Sequence, residues 1–427
     1  MGLLRRAAFA RLWAAAFFSE SAEWMLQVAL PVYLYQLTGS AASTATGMVL
    51  GLVPAVLLSP VAGVLADRWN RRVVLAVVCA GQAVVALPLL LAGGSGEIVL
   101  VYSVQAAQAG LASLFEPARN ALVPELVDHH ELTAANGLLS VTNSLARLAG
   151  SSAGGLLLGL AGLGGVVAAY LGVLLVSAAL LLRRFRTATV VRPVVRSVAV
   201  PVRRSMLREW LAGVAEVRHN RTLRVTAFAV ALMSVAQGMF LVLFVLFVLK
   251  TLGGGEPEIG LLRGIQAIGG LVAGFALAMV ARRVPPAVLL GWGAVALGLL
   301  SALTWNTAHV TTAIGVFAVF FAVNGAPGTV VGAGQLAVMQ AATGPDLLGR
   351  VLSTAFAGMA GFQALGMQLA GLLVGWTGLW PLLDAQAVLH VLAGVLVLGM
   401  LKPVRAGDGY GGGRASPLCD QRPARHP

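Results

Sequence analysis

Twelve apolar stretches, each about long enough to cross a bilayer, recur along this 427-residue chain and leave it little choice of fold. They cover residues 12–37, 42–66, 73–93, 97–118, 136–160, 163–183, 223–249, 257–281, 285–305, 309–337, 350–375 and 380–401. A spanning helix needs roughly 20 apolar residues, and open strands cannot satisfy their backbone in lipid, so each stretch reads as a helix. Turn formers or charges separate them: Thr38-Gly39-Ser40, Asp67 to Arg72, Gly93 to Gly96, Gly162 to Gly165, Gly253 to Pro257, Arg282 to Pro286 and Pro345-Asp346. Only 11% of the residues are charged, against about 25% in soluble domains, which excludes an ordinary cytosolic enzyme.

The net charge of +13 would by itself suggest nucleic-acid binding. Its distribution says otherwise. With the N-terminus inside, 26 of the 29 basic residues fall on cytoplasmic segments, leaving Lys250 in an outer loop and Arg147 and Arg263 within spans. That is the asymmetry expected of topology, so both termini are placed in the cytoplasm of a multi-pass plasma-membrane protein with no nucleic-acid partner. The apolar stretch after Arg5, Arg6 and Arg11 is too long for a signal peptide and lacks a convincing cleavage site, so it reads as a retained first span.

The Arg-rich connection at 184–222 separates two sets of six spans, 1–183 and 223–402. Within it, Met206 to Val217 has an amphipathic helical pattern suited to lipid headgroups. Landmarks recur across the divide: Ser21 with Ser234, Gly63 with Gly274, and Pro124-Glu125-Leu126 with Pro345-Asp346-Leu347. Such spacing fits a duplicated six-helix unit. The tail, 403–427, is rich in Gly, Pro and Arg, a composition expected to be disordered.

Ionisable groups inside a bilayer cost about 2.5 to 3.5 kcal/mol each on the insertion scale, so each is a functional candidate. Glu20, Glu23 and Gln27 share one face of the first span. Glu23 lies ~17 Å from Leu12 at 1.5 Å per residue, near the midplane. Arg147 in the fifth span reaches a similar depth. Pairing of Glu20 or Glu23 with Arg147 is therefore expected, either as a proton-coupling device or as a static bridge between spans 1 and 5. Gln105 and Gln108 on the fourth span, with Arg263 on the eighth, are candidates to face a substrate cavity. Gly150 and Gly154 form a small-xxx-small pair that permits close helix packing. Trp24, Phe240, Phe244 and Phe247 are placed to face either an amphipathic substrate or lipid, and at helical spacing lipid is expected for most of them.

No phosphate-cradling loop, HExxH or Cys/His metal spacing is present. The reading includes no enzyme activity, no metal and no cofactor. Two cysteines, Cys79 and Cys419, are too few for a disulfide framework.

Gly63 to Arg72 reads GVLADRWNRR. Gly63 allows close packing, Asp67 can accept hydrogen bonds from a neighbouring helix end, and Arg68, Arg71 and Arg72 anchor the loop at the cytoplasmic face. The segment resembles the signature loop between helices 2 and 3 of the major facilitator superfamily. FEPARNALVPEL (Phe115 to Leu126), with Asn143 to Gly150 and the first span around Ser21 and Glu23, is similar to the 12-span drug/proton antiporter subgroup of macrolide and siderophore exporters. The stretch GSSAGG (Gly150 to Gly155) resembles the antiporter motif but has Ser151 where proline is usual, and Gln105 stands where many proton-coupled relatives carry arginine.

The resemblance implies an all-α integral membrane fold with 12 transmembrane helices in two pseudo-symmetric six-helix bundles, working as a monomer. It implies export of a small, largely apolar or amphipathic compound by proton antiport. A cytoplasmic gate would be built from Gly63, Asp67, Arg68, Arg71, Arg72, Glu116 and Arg119, the last two in a loop-anchoring network beside Asp67. A gradient-driven importer or facilitator of a metabolite, and a non-transporting membrane scaffold, are the rival classes.

Overall fold

A computed structural model describes residues 3–58, 69–91, 96–183, 214–280 and 284–401. These residues form helices α1 (Ala7–Thr38), α2 (Ala41–Leu50), α3 (Arg71–Ala86), α4 (Glu97–Leu126), α5 (Leu132–Leu182), α6 (Arg221–Leu246), α7 (Glu256–Val280), α8 (Pro286–Thr307), α9 (Ile314–Ala342), α10 (Pro345–Thr377) and α11 (Trp380–Met400). Gly63, Asp67 and Arg68, most of the 184–222 connection, Arg282-Arg283 and the 403–427 tail lie outside the described residues.

Ten helices among the described residues are long and apolar enough to cross a membrane. The longest, Ala134–Leu182, has 49 residues. At 1.5 Å per residue it would run ~70 Å, more than twice a ~30 Å hydrocarbon core. It is broken by Gly162, whose φ of 63° and ψ of −167° are open to glycine and strained for other residues, so α5 carries the fifth and sixth crossings. Helix α1 supplies the first crossing with 32 residues, although Ser19, Glu20, Ser21, Glu23 and Gln27 lower its hydropathy. The described residues therefore account for twelve crossings, α1–α5 forming one bundle and α6–α11 the other.

The helix ends follow local chemistry. Gly39 caps α1 in the left-handed region with φ 62°, and its N–H donates to Tyr35 O. Ser40 then caps α2 by accepting from Ser43 N at 3.3 Å. Asn70 accepts from Arg72 N at 3.1 Å to start α3, and Asn220 accepts from Thr222 N at 2.9 Å to start α6. Pro345-Asp346, read as a break in the sequence, instead opens α10. Proline is suited to the first turn of a helix, where its missing N–H leaves no bond unmade.

The repeat inferred from the landmarks is visible in helix packing. A Cβ at Gly150 would collide with Ser21 O, and one at Gly154 would come within 2.7 Å of Met25 O, so α5 lies directly on α1. In the second bundle, Gly366 and Gly238 bring α10 onto α6 against Val235 and Gln363 in the same way.

The two bundles meet tightly at the end carrying the 39–40, 162 and 253–255 turns, opposite the end where residues 3 and 401 lie. Gly155 of α5 abuts Glu256 and Gly260 of α7, Gly264 abuts Leu148, and Gly371 of α10 abuts Ala41 and Ala45 of α2. Gln36 of α1 hydrogen-bonds Glu256 of α7, and Gln368 of α10 donates to Thr46 Oγ1 of α2 at 3.4 Å. One continuous apolar core joins both bundles there, whereas a second core, around Leu290, Val331 and Val397, lies within the α6–α11 bundle. The molecule is closed at the turn-bearing end.

Candidate functional site

Between the bundles lie two cavities. The first, of about 250 Å³, is lined by Glu23 and Gln27 of α1, Gln105 and Gln108 of α4, Tyr170 of α5 and Arg263 of α7, with apolar walls from Leu241, Phe244 and Met367. The second, of about 620 Å³, is lined by Asn143 and Arg147 of α5, Arg263 and Gln266 of α7, Asn324 of α9 and His390 of α11. Arg263 borders both.

The polar face expected on α1 exists, but its two acids have different neighbours. Glu20 is buried and forms an ion pair with Arg119 of α4, which also meets Glu116 at 3.2 Å. Glu23 is turned to the cavity and accepts from Gln27 Nε2 at 3.4 Å. Neither acid pairs with Arg147, which corrects the pairing expected from depth alone. Matching depths place two groups at one level of the membrane and leave their angular positions open. Arg147 Nη2 instead donates to Gln266 Oε1 of the other bundle, and its guanidinium lies 5.1 Å from the centre of the Trp24 ring.

The network anticipated for Glu116 and Arg119 beside Asp67 reaches a residue outside the described ones, and the two meet each other at 3.2 Å. Helix α4 continues through Pro117 and Pro124 to Leu126, past the expected end of the span at residue 118, and Arg119 sits on its face turned toward α1. Of the other gate candidates that are described, Arg71 Nη1 donates to Ala121 O at 2.8 Å and meets Glu125 Oε1 at 2.5 Å, tying α3 to the end of α4. Arg72 stands beside it at the start of α3. Near the same end, Arg6 pairs with Asp128 at 3.3 Å and Glu131 at 2.8 Å.

The two glutamines of α4 separate in role. Gln108 donates to Gln82 O at 2.8 Å and accepts from Tyr170 O–H at 3.0 Å, a cross-helix tie. Gln105 Oε1 is buried at the cavity wall with no hydrogen-bond partner.

Phe244 and Phe247 face inward, contrary to the lipid-facing expectation, and so does Phe240. With Trp305, Phe317 and Phe321 they form a buried aromatic cluster in which Phe247 and Trp305 meet edge to face at 4.8 Å. Helix α6 is buried over most of its surface, and helical periodicity alone cannot tell such a helix from one facing lipid.

Several polar residues escaped the sequence reading. Trp305 Nε1 donates to Gln386 Oε1 at 3.0 Å, and Gln386 Nε2 lies 3.3 Å from His390 Nδ1, forming a buried polar chain in the second bundle. Gln266 accepts from both Arg147 and Arg263. Its spacing of three from Arg263 was the available signal.

This is the arrangement of a membrane transporter: two six-helix bundles facing each other across polar cavities in an apolar shell. The chain belongs to the Major Facilitator Superfamily, whose sequence model matches residues 12–225, half of the chain. It is 24% identical over 410 residues to macrolide efflux protein A of Streptococcus pyogenes, covering 94% of this chain and 97% of that protein. It is 33% identical over 157 residues to multidrug resistance protein MdtG of Salmonella paratyphi C, covering 35% of this chain and 38% of that one. Among solved structures, a bacterial homologue of the iron transporter ferroportin in an inward-facing state superposes with a TM-score of 0.69 at 17% identity, over 92% of this chain and 98% of that one. The nucleoside transporter NupG gives 0.73 at 13%, over 92% and 100%. These two likenesses establish the fold.

Proposed function

We propose that this transporter exports a small amphipathic compound from the cell in exchange for protons, with its termini in the cytoplasm. The bundles rock so that the cavities open to one side and then the other. Similarity to a macrolide efflux protein over nearly the full length of both chains supports the export sense.

The observation that carries the coupling is the contrast between the two acids of α1. Glu20 is matched by Arg119 in an ion pair between α1 and α4. Glu23 lines the first cavity without an ion-pair partner among the described residues. It is the carboxylate free to gain a proton in one orientation and lose it in the other. Gln105, Gln27 and the apolar wall of Leu241, Phe244 and Met367 then receive the cargo.

The test is efflux of a panel of macrolides and amphipathic dyes from cells carrying the wild type or Glu23→Gln, with and without an uncoupler. Gradient-driven efflux should fall at least tenfold in the variant, with binding of the same compounds retained. Undiminished, uncoupler-sensitive efflux would remove Glu23 from the mechanism. Uptake rather than efflux of the panel would favour the importer class.

A further inference from the structure

Arg147 and Arg263 come from opposite bundles and converge on a single neutral acceptor. Arg147 Nη2 and Arg263 Nη1 both donate to Gln266 Oε1, the latter at 3.1 Å. Both guanidiniums lie over the Trp24 ring, at 5.1 and 5.8 Å from its centre, and Arg263 also lies 5.4 Å from the centre of Phe240. Neither is in an ion pair with a described carboxylate, in contrast to Arg6, Arg71 and Arg119. Glu23, which lines the first cavity with Arg263, bonds Gln27 instead. Arg147 Nε is buried with no hydrogen-bond partner.

Aromatic faces orient guanidiniums but do not neutralise them. Each guanidinium is a fork of N–H donors whose geometry matches a carboxylate or phosphate in a bidentate manner. Two such forks, each half-buried and sharing one amide oxygen, leave charge and donors unsatisfied, an arrangement proteins keep where a ligand completes it. Both side chains border the second cavity, and Arg263 continues into the apolar first cavity.

We propose that Arg147 and Arg263 form a subsite for the anionic group of an amphipathic substrate, a carboxylate or phosphate, whose apolar body lies against Trp24, Phe240 and Phe244. The subsite rests on the transporter reading above and adds the charge of the cargo. Because one arginine belongs to each bundle, the anion bridges them and is released when the bundles rearrange.

The test uses the purified full-length protein in a non-ionic detergent and three probes of similar shape: 2-naphthoate, 2-naphthylmethanol and 2-naphthylmethylammonium. Binding is read by ligand-induced thermal stabilisation and by equilibrium dialysis. The proposal expects naphthoate to bind at least tenfold more tightly than the other two. Arg147→Gln and Arg263→Gln should each abolish that preference while the ligand-free protein melts no lower than wild type, since each removes a half-buried cation with no carboxylate partner among the described residues. Lysine at either position should keep part of the preference. Displacement of naphthoate by phosphatidylglycerol would support the subsite and assign its anion to a lipid headgroup. Equal binding of all three probes, preference for the ammonium, binding of none, or an anion preference that survives both glutamine variants would overturn the proposal. Proton-driven efflux of neutral or cationic compounds alongside such a result would leave the exporter reading intact, which separates the two failures.

Discussion

Glu20 and Arg119 form a buried ion pair between α1 and α4, each less than a tenth exposed. Removing one member leaves the other charged, buried and unmatched, at a cost of about 3–5 kcal/mol, whereas replacing both with neutral residues of similar volume costs far less. Glu20→Ala and Arg119→Ala should therefore each lower the thermal unfolding temperature of the purified protein sharply, and Glu20→Gln combined with Arg119→Met should recover most of the loss. Additive effects of the two single changes would show that the pair does not act as a unit. The sequence made the acids legible, because glutamates one turn apart in an apolar helix stand out. Their partners were not legible. Arg119 falls just past the expected end of the fourth span at residue 118, whereas α4 runs on to Leu126 and carries Arg119 against α1. Arg147 was assigned by depth, which omits rotation about the helix axis.

At the scale of elements, neighbouring glycines of α5 serve different contacts. Gly154 faces Met25 of α1 in its own bundle, while Gly155 faces Gly260 of α7 in the other. A bulky side chain at either place overpacks a backbone contact, typically costing 1–3 kcal/mol. The consequences should differ. Gly154→Leu should lower the unfolding temperature of the protein whatever its orientation. Gly155→Leu should instead penalise the form closed at the turn-bearing end and raise the reactivity of a cysteine placed at Gln36 toward an impermeant maleimide. Equal effects of the two substitutions on labelling would contradict the division. GSSAGG announced a close-packed helix in the sequence, and Gly150 and Gly154 meet α1 as a small-xxx-small pair should. The contact of Gly155 with the other bundle lay beyond sequence reach, since it depends on how two separately folded units dock.

At the scale of the molecule, hydropathy made the fold legible. The apolar stretches correspond to the observed crossings because lipid demands a minimum helix length and tolerates little charge within it. What hydropathy could not supply is which helices of the two bundles touch. Gly155 with Gly260 and Gly371 with Ala41 join α5 to α7 and α2 to α10, contacts related by the same repeat that links Ser21 to Ser234. The lining of the cavities follows from that docking, whereas Phe240, Phe244 and Phe247 are buried against Trp305, Phe317 and Phe321 of their own bundle.

The proposed export requires the bundles to part at the turn-bearing end, where Gln36 and Glu256 meet. Gln36→Cys with Glu256→Cys, joined by a short thiol-cleavable bifunctional reagent, tests it in reconstituted vesicles under a proton gradient. Cross-linking should reduce efflux at least tenfold, either cysteine alone should be unaffected by the reagent, and reductive cleavage should restore the rate. Full efflux from quantitatively cross-linked protein would contradict it.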